Sequence, residues 1–305
     1  MNKLLILSLL ALGYQNASAT SLLETFGSGA NAFTMDFVTI GNPGNAADTT
    51  GYGSVAYSYN ISKYEVSRDI ITKSNSEGSL GITMLDMTHF GGNEANKPAA
   101  GITWHEAAKF VNYLNVSSGS DMAYKFVGGT FTLWSSGDAG YNANNLFRNS
   151  NAKFWLTSTD EWYKAAYGNP DGTWNEYPTG SDNRPEAVSG GTSGAVYGYQ
   201  SAPADINNAG GLSAWETMGQ GGNVYEWLET AWDGINNTAG ESREMRGGAW
   251  GSSILNSVGA SNQSYFLPYE GNVDGWGFRV ASVPEPSSLS LLALGGVVVA
   301  LRRRR

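Results

Sequence analysis

Apolar and polar residues alternate along two stretches near the start of the chain, and each stretch predicts a β-strand. Apolar side chains occupy every second position from Phe33 to Phe37, which is the period of a strand with one buried face. A longer alternation runs from Val55 to Ser62 and predicts a second half-buried strand. Residues 41–53, between them, are rich in glycine and asparagine, so we expect a loop there.

Three helices are predicted from their start signals. Ser67 can cap a short helix, while the pairs Thr103/Glu106 and Ser158/Glu161 have the spacing of a capping box. Behind the two boxes, apolar residues recur at helical spacing: Trp104, Ala107, Ala108, Val111 and Leu114 in one helix, and Trp162, Ala165 and Ala166 in the other. Residues 168 to about 222 are dense in Gly, Asn, Asp and Pro. Loops of that length are usually functional or tied down by something.

Composition fits a loop-rich α+β domain. The 305 residues include 40 glycines, 10 tryptophans and 16 tyrosines, so many turns and large rings leave little room for long helices. No proline-rich or polar linker interrupts the middle of the chain. We therefore expect residues 30–282 to form one domain.

The first 19 residues have the organisation of a secretory signal peptide. Lys3 precedes an apolar run from Leu4 to Leu12, and Ala17-Ser18-Ala19 supplies the small residues of a cleavage site. We therefore expect residues 1–19 to direct export and then to be removed.

The other end of the chain, residues 283–305, combines three features in order. Val283-Pro284-Glu285-Pro286 precedes an apolar run over residues 289–301, and four arginines follow. This order resembles the PEP-CTERM sorting signal, which an exosortase recognises in Gram-negative bacteria that make exopolysaccharide. The resemblance implies an apolar helix that anchors the chain transiently in the inner membrane, with the arginines on the cytoplasmic side, until cleavage near Pro284 to Pro286. The processed protein is then expected at the cell surface or outside the cell.

The net charge of the exported chain indicates which kinds of partner it can bind. Without Lys3 and the four terminal arginines, 13 basic residues remain against 27 acidic ones, a net charge near −14. Such a surface repels phosphate backbones, so nucleic-acid binding is disfavoured and divalent cations are better suited as partners.

The chain has no cysteine, so its stability after export cannot come from disulfides.

Three glycine–aromatic motifs follow one another in the last third of the chain. They are Gly222-Asn223-Val224-Tyr225-Glu226-Trp227, Arg246-Gly247-Gly248-Ala249-Trp250 and Gly277-Phe278-Arg279. Paired glycines beside large rings indicate backbone that turns tightly or approaches another segment closely.

In this order the motifs resemble the C-terminal half of the formylglycine-generating enzyme, or sulfatase-modifying factor, domain. The upstream stretches Ile61–Ser67, Lys97–Trp104 and Trp155–Trp162 are also similar to that family. The resemblance runs from about Phe33 to Val280. It implies the family's C-type-lectin-like α+β fold, in which short helices flank twisted antiparallel strands.

The family's oxidase chemistry is not expected in this chain. As the resemblance implies, that chemistry uses two cysteines shortly after the GGxW motif to hold copper and activate oxygen. The corresponding positions here are Ser252 and Ser257. A serine hydroxyl is neither a soft copper ligand nor a redox partner, so we expect no copper and no conversion of cysteine to formylglycine.

Glu226 has two open interpretations. In the family, the matching carboxylate joins backbone carbonyls around a structural calcium ion, which implies a site made of Glu226 and the carbonyls of Gly222 and Val224. Calcium takes six to eight oxygen ligands and accepts backbone donors from a tight turn. Alternatively, Glu226 forms a buried ion pair with Arg246 or Arg279, which stabilises only when fully hydrogen-bonded. Both arginines are expected to be structural.

A different metal-dependent enzyme is the alternative function. Some relatives of the domain serve iron-dependent sulfoxide synthases, and a non-haem iron site needs about two histidines and a carboxylate. The only histidines are His89, in a predicted loop, and His105, in the first turn of the second helix. A solvated or capping role is expected for His105, so the pair does not favour an iron centre.

We therefore expect an exported, exosortase-sorted surface or matrix protein whose domain serves as a binding or structural module. Its partner would be exopolysaccharide or another surface protein. The rings of the long loops can form a stacking surface for sugar or peptide, but packing in the core is the more common role of such rings. They are Trp134, Tyr141, Trp174, Tyr177, Trp215 and Tyr269.

Overall fold

The computed structural model describes residues 21–253 and 257–284. The predicted signal peptide and the predicted membrane anchor at 289–301 lie outside these residues. Among the helices that are described, none combines the length and the apolar character needed to cross a membrane.

The described residues form a mixed α+β domain with many short elements. Its strands are Ser21–Phe26 (β1), Phe33–Ile40 (β2), Tyr59–Ser62 (β3), Lys125–Val127 (β4), Thr130–Thr132 (β5), Phe154–Leu156 (β6), Tyr225–Ala231 (β7), Arg243–Arg246 (β8), Ser264–Phe266 (β9), Trp276–Gly277 (β10) and Val280–Ser282 (β11). Its helices are Arg68–Gly78 (α1), Trp104–Ser117 (α2) and Thr159–Tyr167 (α3), with a 3-10 turn at Gly29–Asn31.

The larger sheet joins the two ends of the domain. Its five strands lie in the order β1-β2-β3-β11-β6, and each neighbouring pair is antiparallel. The late strand β11 lies between β3 and β6, so the chain returns to the sheet where it began. Strand β1 precedes the predicted domain and pairs along its whole length with β2.

The strand predicted from Phe33 and the loop at 41–53 are confirmed, but the strand predicted over residues 55–62 is only half right. Strand β3 begins at Tyr59, and all four of its residues are buried. It lies between β2 and β11, which pair with its two edges. Tyr59 and Ile61 pack in a core cluster with Ala165 of α3 and Trp215, and Asn60 and Ser62 on the opposite face are buried as well. The alternation was misleading because the polar face of a central strand need not be exposed to solvent. Tyr57 lies before the strand and is 46 % exposed.

All three predicted helix starts are confirmed. The Ser67 hydroxyl accepts the N–H of Ile70 at 3.3 Å, and the boxes that begin at Thr103 and Ser158 are both complete. Each box satisfies N–H groups that the first turn of a helix leaves without an intrahelical partner. Trp104, directly after its cap, is completely buried.

Helix α2 packs against the larger sheet over the main core. The buried side chains there include Phe37 from β2, Phe110 from α2 and Phe154 from β6, and fully burying one such ring stabilises the fold by roughly 1.5–3 kcal/mol. The same cluster reaches Trp227 and Phe278. The glycine–aromatic motifs are therefore set directly on the core.

The smaller sheet brings the three motifs together. Its strands lie in the order β10-β7-β8-β9. Glu226 on β7 is opposite Arg246 on the antiparallel neighbour β8. On its other side, Glu226 pairs with Gly277 of the short parallel strand β10. The three motifs therefore lie on adjacent strands of one sheet.

Candidate functional site

Glu226 and Arg279 form a bidentate ion pair that is completely buried. Arg279 Nε and Nη2 donate to the two carboxylate oxygens at 2.6 and 2.7 Å, and both side chains are 0 % exposed. Trp162 Nε1 donates to the same carboxylate at 2.7 Å. The remaining bonds of Arg279 go to the carbonyls of Ser62, Lys63 and Met218. Because the guanidinium fork is fully used, this pair can stabilise the fold despite its burial.

The ion pair is one of the two alternatives for Glu226, and its geometry favours that alternative. A calcium ion at this carboxylate would lie close to a guanidinium of the same sign, and each oxygen already accepts a charge-assisted hydrogen bond. Among the residues that the structure describes, no group of three or more acidic, cysteine or histidine side chains could hold a metal ion. Calcium ligation by Glu226 with the carbonyls of Gly222 and Val224 stays a prediction, which chelation tests.

Arg246 contacts a different partner from Arg279. Its Nε donates to Glu244 at 2.7 Å, and its guanidinium carbon lies 4.4 Å from the centre of the Tyr52 ring. Its other donors reach the carbonyls of Ala260 and Asn262 and the side chain of Gln263. These contacts fasten the segment after residue 259 to strand β8, in keeping with a structural role.

Asn223 is the residue where four other segments of the chain meet. Its backbone N–H donates to Val196 at 2.7 Å, and its carbonyl accepts from Trp250 at 2.9 Å. Its side-chain oxygen accepts the N–H of Ala204 at 2.8 Å, while its side-chain nitrogen donates to Glu65. These bonds hold Asn223 at a φ of 60°, in the left-handed region that asparagine tolerates better than most residues.

Glu65 is a buried acid that sequence analysis did not single out as a site residue. It is 2 % exposed, and its carboxylate accepts the N–H of Val224 at 3.2 Å in addition to the side chain of Asn223. Burial first, and the charge of Glu226 second, raise the pKa of Glu65 well above its usual value, although Arg279 opposes the shift. The only sequence signal was its place in the stretch Ile61–Ser67, which resembles the family.

Two motif glycines allow backbone segments to approach closely. Gly222 has a φ of 91°, and a Cβ at this position would lie 2.2 Å from the Val196 carbonyl oxygen. Gly248 has a φ of 76°, and its Cβ would lie 2.6 Å from the Ser257 carbonyl oxygen. No other residue fits either position without moving the facing backbone.

Ser252 and Ser257, which the sequence analysis predicted at the family's cysteine positions, make ordinary hydrogen bonds. Ser252 is half-buried and its hydroxyl accepts the N–H of Ala249 at 2.9 Å. Ser257 is 5 % exposed, and its hydroxyl donates to the carbonyl of Ser253 at 2.7 Å. Neither side chain supplies the thiolate that a copper(I) ion prefers.

A pocket of about 460 Å³ opens beside Trp250. Its lining residues include Tyr199, Gln200, Tyr225, Trp250, Ser252, Asp274 and Trp276. Aromatic residues, a carboxylate residue, an amide residue and a serine thus line one concave surface, which is the usual composition of a ligand site. Tyr199 is the most exposed of the aromatic residues, whereas Trp250 and Trp276 are each 7 % exposed. Sequence analysis identified Trp250 and Ser252 as motif residues, but the pocket itself depends on loops that are far apart in the chain.

The two histidines and the six loop rings singled out in the sequence lie outside the lining of the pocket beside Trp250. The predicted solvated or capping role of His105 is wrong, since its ring packs against Trp104 and Phe131 and its buried Nε2 has no hydrogen-bond partner among the described residues. Burial first, and the charge of Arg243 second, lower the pKa of His105 to about 4. His89 is exposed in a turn.

The six loop rings divide between core and surface. Trp215 is buried, whereas Tyr269 is 61 % exposed. Of the others, Trp134, Trp174 and Tyr177 are half-buried, and Tyr141 is 36 % exposed. The pocket beside Trp250 is built from a different set of rings.

Comparison with known families gives two matches. The sulfatase-modifying factor enzyme 1-like domain matches residues 31–283, and the PEP-CTERM protein-sorting motif matches residues 282–305. The second match implies export and processing by an exosortase. A search of curated proteins found no match.

Solved structures share the fold at low sequence identity. Treponema denticola variable protein 1 has a TM-score of 0.60 at 18 % identity, over 87 % of this chain and 100 % of that one. CarF has a TM-score of 0.59 at 15 % identity, over 82 % and 99 %. PvdO from Pseudomonas aeruginosa has a TM-score of 0.53 at 15 % identity, over 86 % and 98 %. These likenesses confirm the C-type-lectin-like α+β fold. Since the family match spans most of its length, the chain belongs to the sulfatase-modifying factor enzyme 1-like domain family.

Proposed function

We propose that this protein is a surface or matrix binding module that uses the family scaffold without the family's oxidase chemistry. The observation that carries the proposal is the pocket beside Trp250. Aromatic residues and polar acceptors line it, and so does Ser252, the residue that the resemblance matches to a cysteine of the family. A volume of about 460 Å³ lies within the usual range for ligand sites.

The mouth of the pocket is rigid, which supports a binding role. The N–H groups of Gly198 and Tyr199 donate to the Ser252 carbonyl at 3.0 and 3.1 Å, and the N–H of Gln200 donates to the Trp250 carbonyl at 2.9 Å. The two loops that carry the wall are therefore joined by backbone hydrogen bonds. A preformed site loses less conformational entropy on binding than a mobile one.

The sorting motif and the charge of the chain suggest the kind of partner. We propose that residues 289–301 hold the exported chain in the inner membrane until exosortase cleavage, after which the domain remains at the cell surface or outside the cell. The net charge near −14 argues against nucleic acid. The candidate partners in that compartment are exopolysaccharide and other surface proteins.

A glycine in the pocket wall provides the test. Gly251 lines the pocket, and a Cβ there would meet no heavy atom within 4 Å, so Gly251→Trp introduces a large side chain at the pocket wall from an unobstructed position. Gly137 has equally open surroundings and lies in a different loop, so Gly137→Trp is the matched control. The exported protein and both variants are immobilised and exposed to the host's exopolysaccharide and surface proteins.

We expect the wild type and Gly137→Trp to retain the same partner, and Gly251→Trp to retain roughly tenfold less or none, since the pocket's ring faces are then blocked. Equal retention by all three proteins would show that binding does not use this pocket. No retention by the wild type from any surface fraction would remove the binding proposal.

A further inference from the structure

Tyr199 combines a strained backbone with an exposed ring. Its φ is 62°, in the left-handed region that large residues seldom adopt. Its side chain is 73 % exposed, so core packing does not explain why the strain is tolerated. Residues held in this way are concentrated at ligand-binding and catalytic sites.

Hydrogen bonds at Tyr199 and at its two neighbours fix the backbone that carries its ring. The Ser252 carbonyl accepts two N–H groups from the Tyr199 turn, and the Trp250 carbonyl accepts the next one. The backbone of Tyr199 is thereby held beside Trp250, where the residue lines the pocket. Tyr225 and Trp276 supply further aromatic surface in the same wall.

The polar groups of the pocket are mainly acceptors that lack partners. Asp274 is half-buried, and its carboxylate makes no hydrogen bond or ion pair within residues 21–253 and 257–284; only its backbone carbonyl is bonded, to Trp250 Nε1 at 3.3 Å. Gln200 uses its side-chain nitrogen on the Tyr197 carbonyl at 3.0 Å, which leaves its side-chain oxygen available.

The charge of the pocket is negative. Asp274 is the one carboxylate in the described wall, and no lysine, arginine or histidine lines it. The whole exported chain carries a net charge near −14. A ligand that donates hydrogen bonds and carries positive charge therefore suits both the pocket and the surface around it.

We infer that the pocket binds an amino sugar residue of a polysaccharide, an inference that rests on the proposed use of this pocket as a binding site. The apolar face of the pyranose stacks on Tyr199 and the neighbouring rings. The ammonium group lies between Asp274 and the aromatic faces, which attract cations. Sugar hydroxyls donate to Gln200. A uronic acid would meet Asp274 with the same sign of charge, and a lysine side chain would leave Gln200 unused.

Calorimetric titration of the exported protein with three tetrasaccharides of equal length tests this inference. The three are a glucosamine tetramer, its N-acetylated form and a uronic acid tetramer. We expect the glucosamine tetramer to bind roughly tenfold more tightly than the N-acetylated form, because acetylation removes the charge that pairs with Asp274. The uronic acid tetramer should not bind.

Two variants with matched controls complete the experiment. Asp274→Asn should weaken binding of the glucosamine tetramer roughly tenfold and leave the N-acetylated form unchanged, whereas Glu216→Gln, an exposed acid outside the pocket, should change neither. Tyr199→Ala should weaken both ligands, and the exposed Tyr269→Ala neither. Thermal melts of each variant show that it is folded.

The inference is overturned if the glucosamine tetramer does not bind, if it binds equally to Asp274→Asn, or if a lysine peptide of equal charge binds as tightly. The proposed function is judged separately. If the wild type retains a host surface partner and Gly251→Trp does not, the proposed binding function is supported even when none of the amino sugars binds.

Discussion

Asn223 donates its side-chain amide to the carboxylate of Glu65, which lies 158 positions earlier in the chain. The same carboxylate accepts the N–H of Val224, and two residues later Glu226 binds Arg279. The turn before strand β7 is thus held on one side by an acid from the N-terminal half and on the other by an arginine near the end of the domain. The motifs that carry the family resemblance meet at this point.

Asn223→Ala should destabilise the protein by about 3 kcal/mol, since it removes two side-chain hydrogen bonds and leaves buried partners unsatisfied. Chemical denaturation measures the loss. Asn272 is the matched control because it has a similar φ of 61° but an exposed side chain, so Asn272→Ala should cost only about 1 kcal/mol of left-handed strain. Equal losses would show that the contacts of Asn223 contribute nothing.

Glu65 should make stability fall as pH rises. Below its usual pKa of 4.5, the carboxyl is protonated in both the folded and the unfolded chain. Above that pH the unfolded chain releases the proton while burial and the charge of Glu226 keep it on the folded chain, so the stabilisation from this group is lost with increasing pH. In the reference variant Glu65→Gln, the side chain at this position has no carboxyl group and cannot titrate.

The free energy of unfolding of the wild type, relative to Glu65→Gln, should therefore decrease between pH 4.5 and pH 8. Denaturation curves of both proteins at several pH values give this difference. A difference that stays constant, or that grows with pH, would contradict the raised pKa.

Arg279→Lys should cost about 3–5 kcal/mol although it preserves the charge. Lysine has a single nitrogen and cannot reproduce the two-point contact with Glu226 together with the bonds to three carbonyls. Arg184 is exposed, and Arg184→Lys is the control, with an expected change below about 0.5 kcal/mol. A comparable effect of both substitutions on the denaturation midpoint would count against the ion pair as a structural centre.

Chelation separates the two interpretations of Glu226. With its oxygens bonded to Arg279 and Trp162, we expect EDTA to leave the melting temperature of the exported protein unchanged. Calcium bound to Glu226 and to the carbonyls of Gly222 and Val224 would instead add stability through binding to the folded state. A fall of several degrees that added calcium reverses would establish the calcium site.

Local features of this fold could be predicted from the sequence. The helix starts at Thr103 and Ser158 depend on hydrogen bonds within three residues, and such patterns are visible in the chain itself. The prediction of a half-buried strand at 55–62 failed because the polar side chains of β3 are buried against distant residues. Asn60 donates to the Val283 carbonyl and Ser62 accepts the N–H of Val280, both more than 200 positions later. No local period reports such a neighbour.

The candidate site was harder to predict for the same physical reason. Glu65 looks like any surface acid until Asn223 and Val224 are brought to it, and the pocket needs loops around Tyr199, Trp250 and Asp274 to converge. The positive φ of Tyr199 has no sequence signal, because tyrosine is rarely used for that conformation. The motif residues were identifiable only through their order along the chain.

The most direct measurement is the mass of a cysteine-bearing test peptide after incubation with the exported protein, copper and oxygen. The chain has no cysteine, and the serines expected at the positions of the family's thiols, Ser252 and Ser257, cannot bind copper(I) as thiolates do. We therefore expect the peptide to keep its mass and its cysteine. Formation of formylglycine in the peptide would contradict the proposal that this scaffold binds a partner in place of oxidising one.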